Sequence, residues 1–153
     1  AVAAPAPLVS VTPGQLDLGS VTVGQTSAAK ALAIKNTGNA ALSISSIAAT
    51  PSSFVQTNDC GASLAAGASC TVNTTFSAAS AGAASGTLTI VSNAAGSPTK
   101  IGLSAQGAAV VLPVLSWQSA PTGLSFADTN VGSVASTQTL VLSNAGPGNA
   151  TLT

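Results

Sequence analysis

Residues 16–38 of this chain occur twice. LDLGSVTVGQTSAAKALAIKNTG, from Leu16, aligns without a gap on LSFADTNVGSVASTQTLVLSNAG, from Leu124. Leu16, Val23, Gly24, Leu32, Asn36 and Gly38 recur as Leu124, Val131, Gly132, Leu140, Asn144 and Gly146. After a two-residue insertion, Asn39-Ala-Ala-Leu42 returns as Asn149-Ala-Thr-Leu152. The offset of 108 residues exceeds the period of a solenoid, about 20–50 residues, and fits whole domains in tandem. The expected organisation is an N-terminal extension over 1–7, a complete unit over 8–109, and a linker with an incomplete second unit over 110–153.

The chain has 153 residues, of which six are charged: Asp17, Lys30, Lys35, Asp59, Lys100 and Asp128. It has no His, Arg, Glu, Met or Tyr. A surface of Ala, Ser, Thr, Gly, Asn and Gln has little field with which to steer a charged partner. It also lacks the net charge that keeps proteins apart. Disorder is a poor reading, because disordered chains combine low hydrophobicity with high net charge. Here 46% of residues are hydrophobic and the net charge is zero. No apolar run reaches the roughly 18 residues of a membrane-crossing helix. The opening AVAAPAP resembles what remains after a signal peptide is cleaved at a small-residue site.

Apolar residues alternate with polar ones, bounded by Gly, Asn, Ser and Pro, which predicts short half-buried strands. Cys70, Val72, Thr74 and Phe76 alternate with Thr71, Asn73 and Thr75. Helix is the competing reading, since Ala favours it, but Gly and Ser interrupt every Ala-rich stretch. The expected core is Leu16, Leu18, Leu32, Ile34, Leu42, Ile44, Val72, Phe76, Leu88, Ile90, Ile101 and Leu103. Asn36-Thr-Gly-Asn39 reads as a turn. Val110–Leu115 reads as a linker, a first strand of the second unit or a packed joint. Trp117 is expected to cap the edge of a second core, with a sugar-stacking platform as the functional alternative. Phe54, Phe76 and Phe126 fall at strand-like positions. Short strands at this density, about seven per unit, predict a β-sandwich.

Four strings carry a family resemblance: Leu16-Asp-Leu-Gly-Ser-Val-Thr-Val-Gly24, Leu32-x-Ile34-x-Asn36-Thr-Gly-Asn39, Cys60…Leu64-Ala-Ala-Gly67-x-Ser-Cys70-Thr-Val72-x-x-x-Phe76 and Gly86-Thr-Leu-Thr-Ile90-x-Ser-Asn93. In this order they resemble immunoglobulin-like repeats of the abnormal-spindle/Hydin (ASH) type, and are most similar to the bacterial "choice-of-anchor D" version of secreted and surface proteins. The resemblance covers about residues 9–107 and restarts over 115–153. It implies an all-β, immunoglobulin-like seven-stranded sandwich, followed by the first strands of a second such unit, with scaffolding or adhesive roles and no active site. Ala66 and Ala78 stand where the family often has Pro, which loosens two turns.

Cys60 and Cys70 enclose nine residues that include Gly61 and Gly67, enough to turn and bring the ends together. A structural disulfide is expected, worth about 3 kcal/mol by loop-closure entropy, and it would favour an oxidising compartment. A metal site would need two further ligands. A redox pair would need Cys-x-x-Cys or a cationic neighbour. A serine nucleophile would have only Lys as its base, and Lys30 and Lys35 read as solvated strand positions. Asp17, Asp59 and Asp128 fall at unrelated repeat positions, so paired-carboxylate chemistry and calcium binding are not expected. Three lysines balanced by three aspartates do not suit nucleic acid. Asn73-Thr-Thr75 and Asn149-Ala-Thr151 match the N-glycosylation pattern, as chance alone would produce in so Asn- and Thr-rich a chain.

No enzyme activity, cofactor, metal or nucleic-acid partner is therefore expected. The reading is a structural module, secreted or on a cell surface, that self-associates as a homopolymer or packs against neighbouring Ig-like repeats. The second unit's apolar residues would be covered either by later strands of a longer natural chain or, as an assembly segment of Val114, Leu115, Trp117, Leu124, Phe126, Leu140 and Leu142, by strands of another chain. The alternative is an adhesive module holding a glycan or protein within a larger tandem-repeat surface protein.

Overall fold

The computed structural model describes residues 4–117 and 126–153. It divides into two compact units, Ala1–Ala109 and Val110–Thr153. Every regular element among the described residues is a β-strand, and none is a helix long and apolar enough to cross a membrane.

The first unit contains β1 (Val9–Thr12), β2 (Gln15–Thr22), β3 (Lys30–Asn36), β4 (Leu42–Thr50), β5 (Phe54–Asn58), β6 (Ser63–Leu64), β7 (Ser69–Phe76), β8 (Gly82–Ser92) and β9 (Thr99–Ala108). One sheet has the order β1-β3-β7-β5 and the other β2-β9-β8-β4-β6. All pairings are antiparallel except β2 with β9, which is parallel. The sandwich read in the sequence is present, with nine strands instead of seven. The first strand splits at Pro13-Gly14, where Pro offers no N–H to the ladder: β1 runs along β3, and β2 along β9. The two-residue β6 is the other addition, hydrogen-bonded to the start of β4.

Alternation places one face of each strand inside. Leu32 lies opposite Val72, Ile34 opposite Cys70, and Leu88 opposite Ile101. All twelve expected core residues are buried except Ile44, which is half-buried. The cause is a register shift in β4 between Ile44 and Ser46. One extra residue there inverts the parity: Leu42 and Ile44 point inward before the shift, Ile47 and Ala49 after it. Phe54 belongs to the core too, and its ring lies 5.0 Å from that of Phe76. Gly86 makes room for it. A Cβ at Gly86 would come within 2.7 Å of both the Phe54 ring and the Thr50 carbonyl oxygen.

The pairing of the edge strand β2 with β9 shifts register between Asp17 and Ser20, where Gly19 adopts φ +77° and donates its N–H to Asp17 Oδ1 at 2.9 Å. A bulge and a charge on an edge strand discourage pairing with another sheet. One of the chain's few charges sits there.

In the second unit, β10 (Leu115–Trp117) pairs antiparallel with β11 (Leu142–Asn144). Two expectations are corrected here. Phe126 is not in a strand and is exposed. Its counterpart Leu18 sits in β2, which is held by β9, and no counterpart of β9 is among the described residues of this unit. Trp117 caps no core: it is 55% exposed, because no second sheet layer lies over β10 and β11 among those residues. Leu124 lies outside the described residues. The turn at Gly24 is nevertheless repeated at Gly132. Their φ angles are +86° and +89°, and Gln25 N–H to Thr22 O (2.9 Å) recurs as Ser133 N–H to Asn130 O (3.0 Å).

Two stability changes of the first unit follow, both read by chemical denaturation. Phe76→Ala should cost about 3–5 kcal/mol, as an emptied aromatic site does; a loss under about 1 kcal/mol would contradict its burial. Thr74 is wholly buried and its hydroxyl has no hydrogen-bond partner among the described residues. Thr74→Val, which keeps the shape and removes the orphaned hydroxyl, should raise stability by about 1 kcal/mol.

Candidate functional site

The most heavily bonded side chain of the first unit is Asn36, at the end of β3 and wholly buried. Its Oδ1 accepts the N–H groups of Gly38 (3.0 Å) and Leu8 (3.4 Å). Its Nδ2 donates to the carbonyls of Ala40 (2.7 Å) and Leu64 (3.0 Å). Its backbone N–H donates to Ala68 O, and its carbonyl accepts from Gly67 N–H, both at 2.9 Å. Gly67 has φ +79°, a conformation that Gly adopts without strain. Gly38 is needed as well, since a Cβ there would run into the backbone of Ala6-Pro7-Leu8. The carboxamide thus ties the N-terminal segment, the β3–β4 turn and β6 together, and the backbone of the same residue adds the turn before β7.

Asn144, at the end of β11, repeats half of this arrangement. Its Oδ1 accepts from Gly146 N–H (3.0 Å) and Val114 N–H (3.1 Å), and its Nδ2 donates to Gly148 O (2.7 Å). Thr37 N–H to Leu8 O (2.8 Å) recurs as Ala145 N–H to Val114 O (2.9 Å). A Cβ at Gly146 would meet Leu112-Pro113-Val114, as one at Gly38 would meet Ala6-Pro7-Leu8. The register agrees: Val9 faces Asn36, and Leu115 faces Asn144.

The other half has no counterpart. Among the described residues Asn144 has no equivalent of Leu64 O, Gly67 N–H or Ala68 O, and it is exposed where Asn36 is buried. Pairwise, Leu115, Trp117, Leu140 and Leu142 stand where the first unit has Val9, Val11, Leu32 and Ile34. Leu32 and Ile34 are 1% and 0% exposed, whereas Leu140 and Leu115 are 42% and 47% exposed and Leu142 is half-buried. Val114, whose N–H is held by Asn144, is 57% exposed.

Cys60 and Cys70 are joined by a disulfide. It ties the segment after β5 to the start of β7, within one sheet. The carboxylate of Asp59 lies within 4.8 Å of both sulfurs and accepts the Thr71 N–H at 2.5 Å. With both sulfurs in the disulfide, this group is a cross-brace. Lys30 and Lys35 point outward, as do Asn73 and Asn149 of the two glycosylation patterns. A recess of about 330 Å³ is lined by Ala4, Ala6, Leu8, Thr37, Gly38 and Asn39, none of which carries an ionisable side chain. The sequence marked Asn36 only as a turn residue; its recurrence at Asn144 was the available signal of something more.

Residues 7–106 match the family described as "HYDIN/CFA65/VesB-like, Ig-like domain". No curated protein matches the chain significantly. A protein of unknown function from Porphyromonas gingivalis W83 is similar in structure, with 18% identity and a TM-score of 0.57, over 69% of this chain and 49% of that one. The ASH/PapD-like domain 7 of human CEP192 is 14% identical with a TM-score of 0.55, over 72% of this chain and 92% of that one. The VesB protease of Vibrio cholerae is 19% identical with a TM-score of 0.52, over 64% and 31%. The chain spans about half of the P. gingivalis protein and under a third of VesB. At these identities the likeness is one of fold, and it bears out the resemblance to ASH/Hydin-type repeats.

Asn36→Ala would orphan one buried and three part-buried backbone groups; a group left unsatisfied in a buried place costs about 1–3 kcal/mol. The first unit should lose at least about 3 kcal/mol in chemical denaturation. The corresponding Asn144→Ala should leave that transition unchanged.

Proposed function

This chain belongs to the family of HYDIN/CFA65/VesB-like Ig-like domains, and on that premise we propose that it is a non-catalytic structural module of an extracellular or cell-surface assembly, joined to its neighbours by inter-chain strand complementation. The observation that carries the proposal is the difference between Asn36 and Asn144. The same motif is enclosed by further strands in the first unit; in the second, the enclosing strands come either from residues after Thr153 or from another chain. An open strand edge beside exposed apolar side chains favours the addition of a strand. A head-to-tail contact of that kind propagates as a filament when rotation does not close a ring.

The surface suits such a role. Six charges in 153 residues provide little repulsion between copies. Three lysines are the only sites for trypsin-like cleavage, and the Cys60–Cys70 disulfide fits an oxidising compartment. Sedimentation velocity of the 153-residue chain at micromolar concentrations should show species larger than the monomer that grow with concentration. A monomer at every concentration would defeat inter-chain completion.

A second reading, adhesion to a glycan, draws on the exposed ring of Trp117, since sugars stack on aromatic faces. Trp117 is the chain's one tryptophan, so its fluorescence reports on that site alone. Saturable quenching or blue shift on adding oligosaccharides would favour adhesion. An unchanged spectrum across a sugar panel would remove this reading.

A further inference from the structure

The five strands of the sheet β2-β9-β8-β4-β6 carry two charges between them, Asp17 on β2 and Lys100 on β9. Both point outward, since Leu16 and Leu18 flank Asp17 on the inside and Ile101 is buried beside Lys100. We propose that this face docks a second copy of the chain, packed face to face, with each copy's Lys100 against the other's Asp17. The inference stands apart from strand complementation, because every residue it uses lies in the first unit.

The register fixes where the two charges stand. Gly102 pairs with Gln15 on one side and Thr87 on the other, and Thr87 pairs with Thr50. These four residues form one uncharged row across four strands. Asp17 pairs with Ser104, and β2 runs parallel to β9, so Asp17 and Lys100 lie on opposite sides of that row. The four residues from Lys100 to Ser104, at about 3.3 Å each, span about 13 Å, too far for an ion pair within one copy. A two-fold axis running along the row, between two stacked faces, exchanges the two positions. It forms two reciprocal Lys–Asp pairs and sets the row on its own counterpart, as an isologous contact does. Asp17 Oδ1 accepts from Gly19 N–H, which leaves the second carboxylate oxygen for the partner's ammonium.

Gly102 stands at the centre of this arrangement. Its φ is outside the left-handed region, and a Cβ there would meet no described atom within 4 Å. The first unit therefore gives no steric reason for glycine in the middle of β9, where it weakens a strand. Close approach of another backbone is such a reason. Four strands about 4.8 Å apart and about 30 Å long present about 600 Å² per copy. Two such faces bury about 1,200 Å², the lower end of specific interfaces.

The test combines sedimentation velocity of the full chain, from micromolar to millimolar, with zero-length carbodiimide cross-linking of mixed ¹⁴N- and ¹⁵N-labelled chains. Mass spectrometry should find Lys100 joined to Asp17 between a light and a heavy peptide. Gly102→Val should leave the unfolding transition no lower, given the open space at its Cβ, and weaken self-association at least about tenfold. Lys100→Asp should weaken it by a similar factor, and adding Asp17→Lys should restore it, since the exchanged charges are again reciprocal. Asp17→Asn keeps the acceptor for Gly19 and removes the charge, so it should weaken association without disturbing the bulge. A chain that stays monomeric at millimolar concentration overturns the proposal. So does a Gly102→Val variant that associates like the parent, or a cross-link confined to peptides of one label. Larger species that persist in Gly102→Val without the cross-link reject this face and leave strand complementation standing. Cross-linked dimers that grow no further support this face and reject the filament.

Discussion

The buried carboxamide of Asn36 is the point on which the first unit depends. A neutral side chain supplies two donors and an acceptor with two lone pairs, and here all of them are used, on three separate segments of chain. The apolar core needs only that side chains of suitable size face inward. The amide needs particular carbonyls and N–H groups at fixed positions, and so fixes how the N-terminal segment, the β3–β4 turn and β6 meet. Buried polar groups are costly unless satisfied. The interaction therefore forms as a set, with Gly38 and Gly67 as its steric conditions.

The same reasoning makes the second unit informative. Residues that recur by sequence also recur by geometry: the Gly turn, the β10–β11 register and the Oδ1 bonds of Asn144 each match the first unit. Local contacts are thus reproduced by a short stretch of sequence. The groups that long-range partners satisfy in the first unit have no such partners among the described residues of the second. An exposed Asn is ordinary by itself. It becomes notable beside Leu115, Trp117, Leu140 and Leu142, whose counterparts pack against or within a core.

Sparse charge gives each charged group a visible place. Asp17 closes a bulge on an edge strand and Asp59 braces the strand that follows the disulfide, while Lys30 and Lys35 are exposed. The likeness to VesB covers under a third of that protease and concerns the sandwich. A sandwich of this kind is a common framework, and function is carried by sites placed on a fold, not by the fold itself.

The sequence by itself determined the β class, the repeat, most of the core and the cysteine pair's proximity. These depend on alternation, recurrence and short loops, which are local properties. Tertiary structure decided the rest. The inversion of facing in β4 arises from a bulge opposite β8, so Ile44 cannot be distinguished from Leu42 by pattern alone. The first strand divides between two sheets because β3 and β9, far along the chain, offer separate edges. Phe126 has the alternation of a strand, but a strand also needs a neighbour to bond. Asn36 reads as a turn residue until Leu64, 28 positions away, is brought to it. A hydrogen bond between distant residues leaves no periodic trace in either segment, and only the folded chain reveals which amide it joins to which carbonyl.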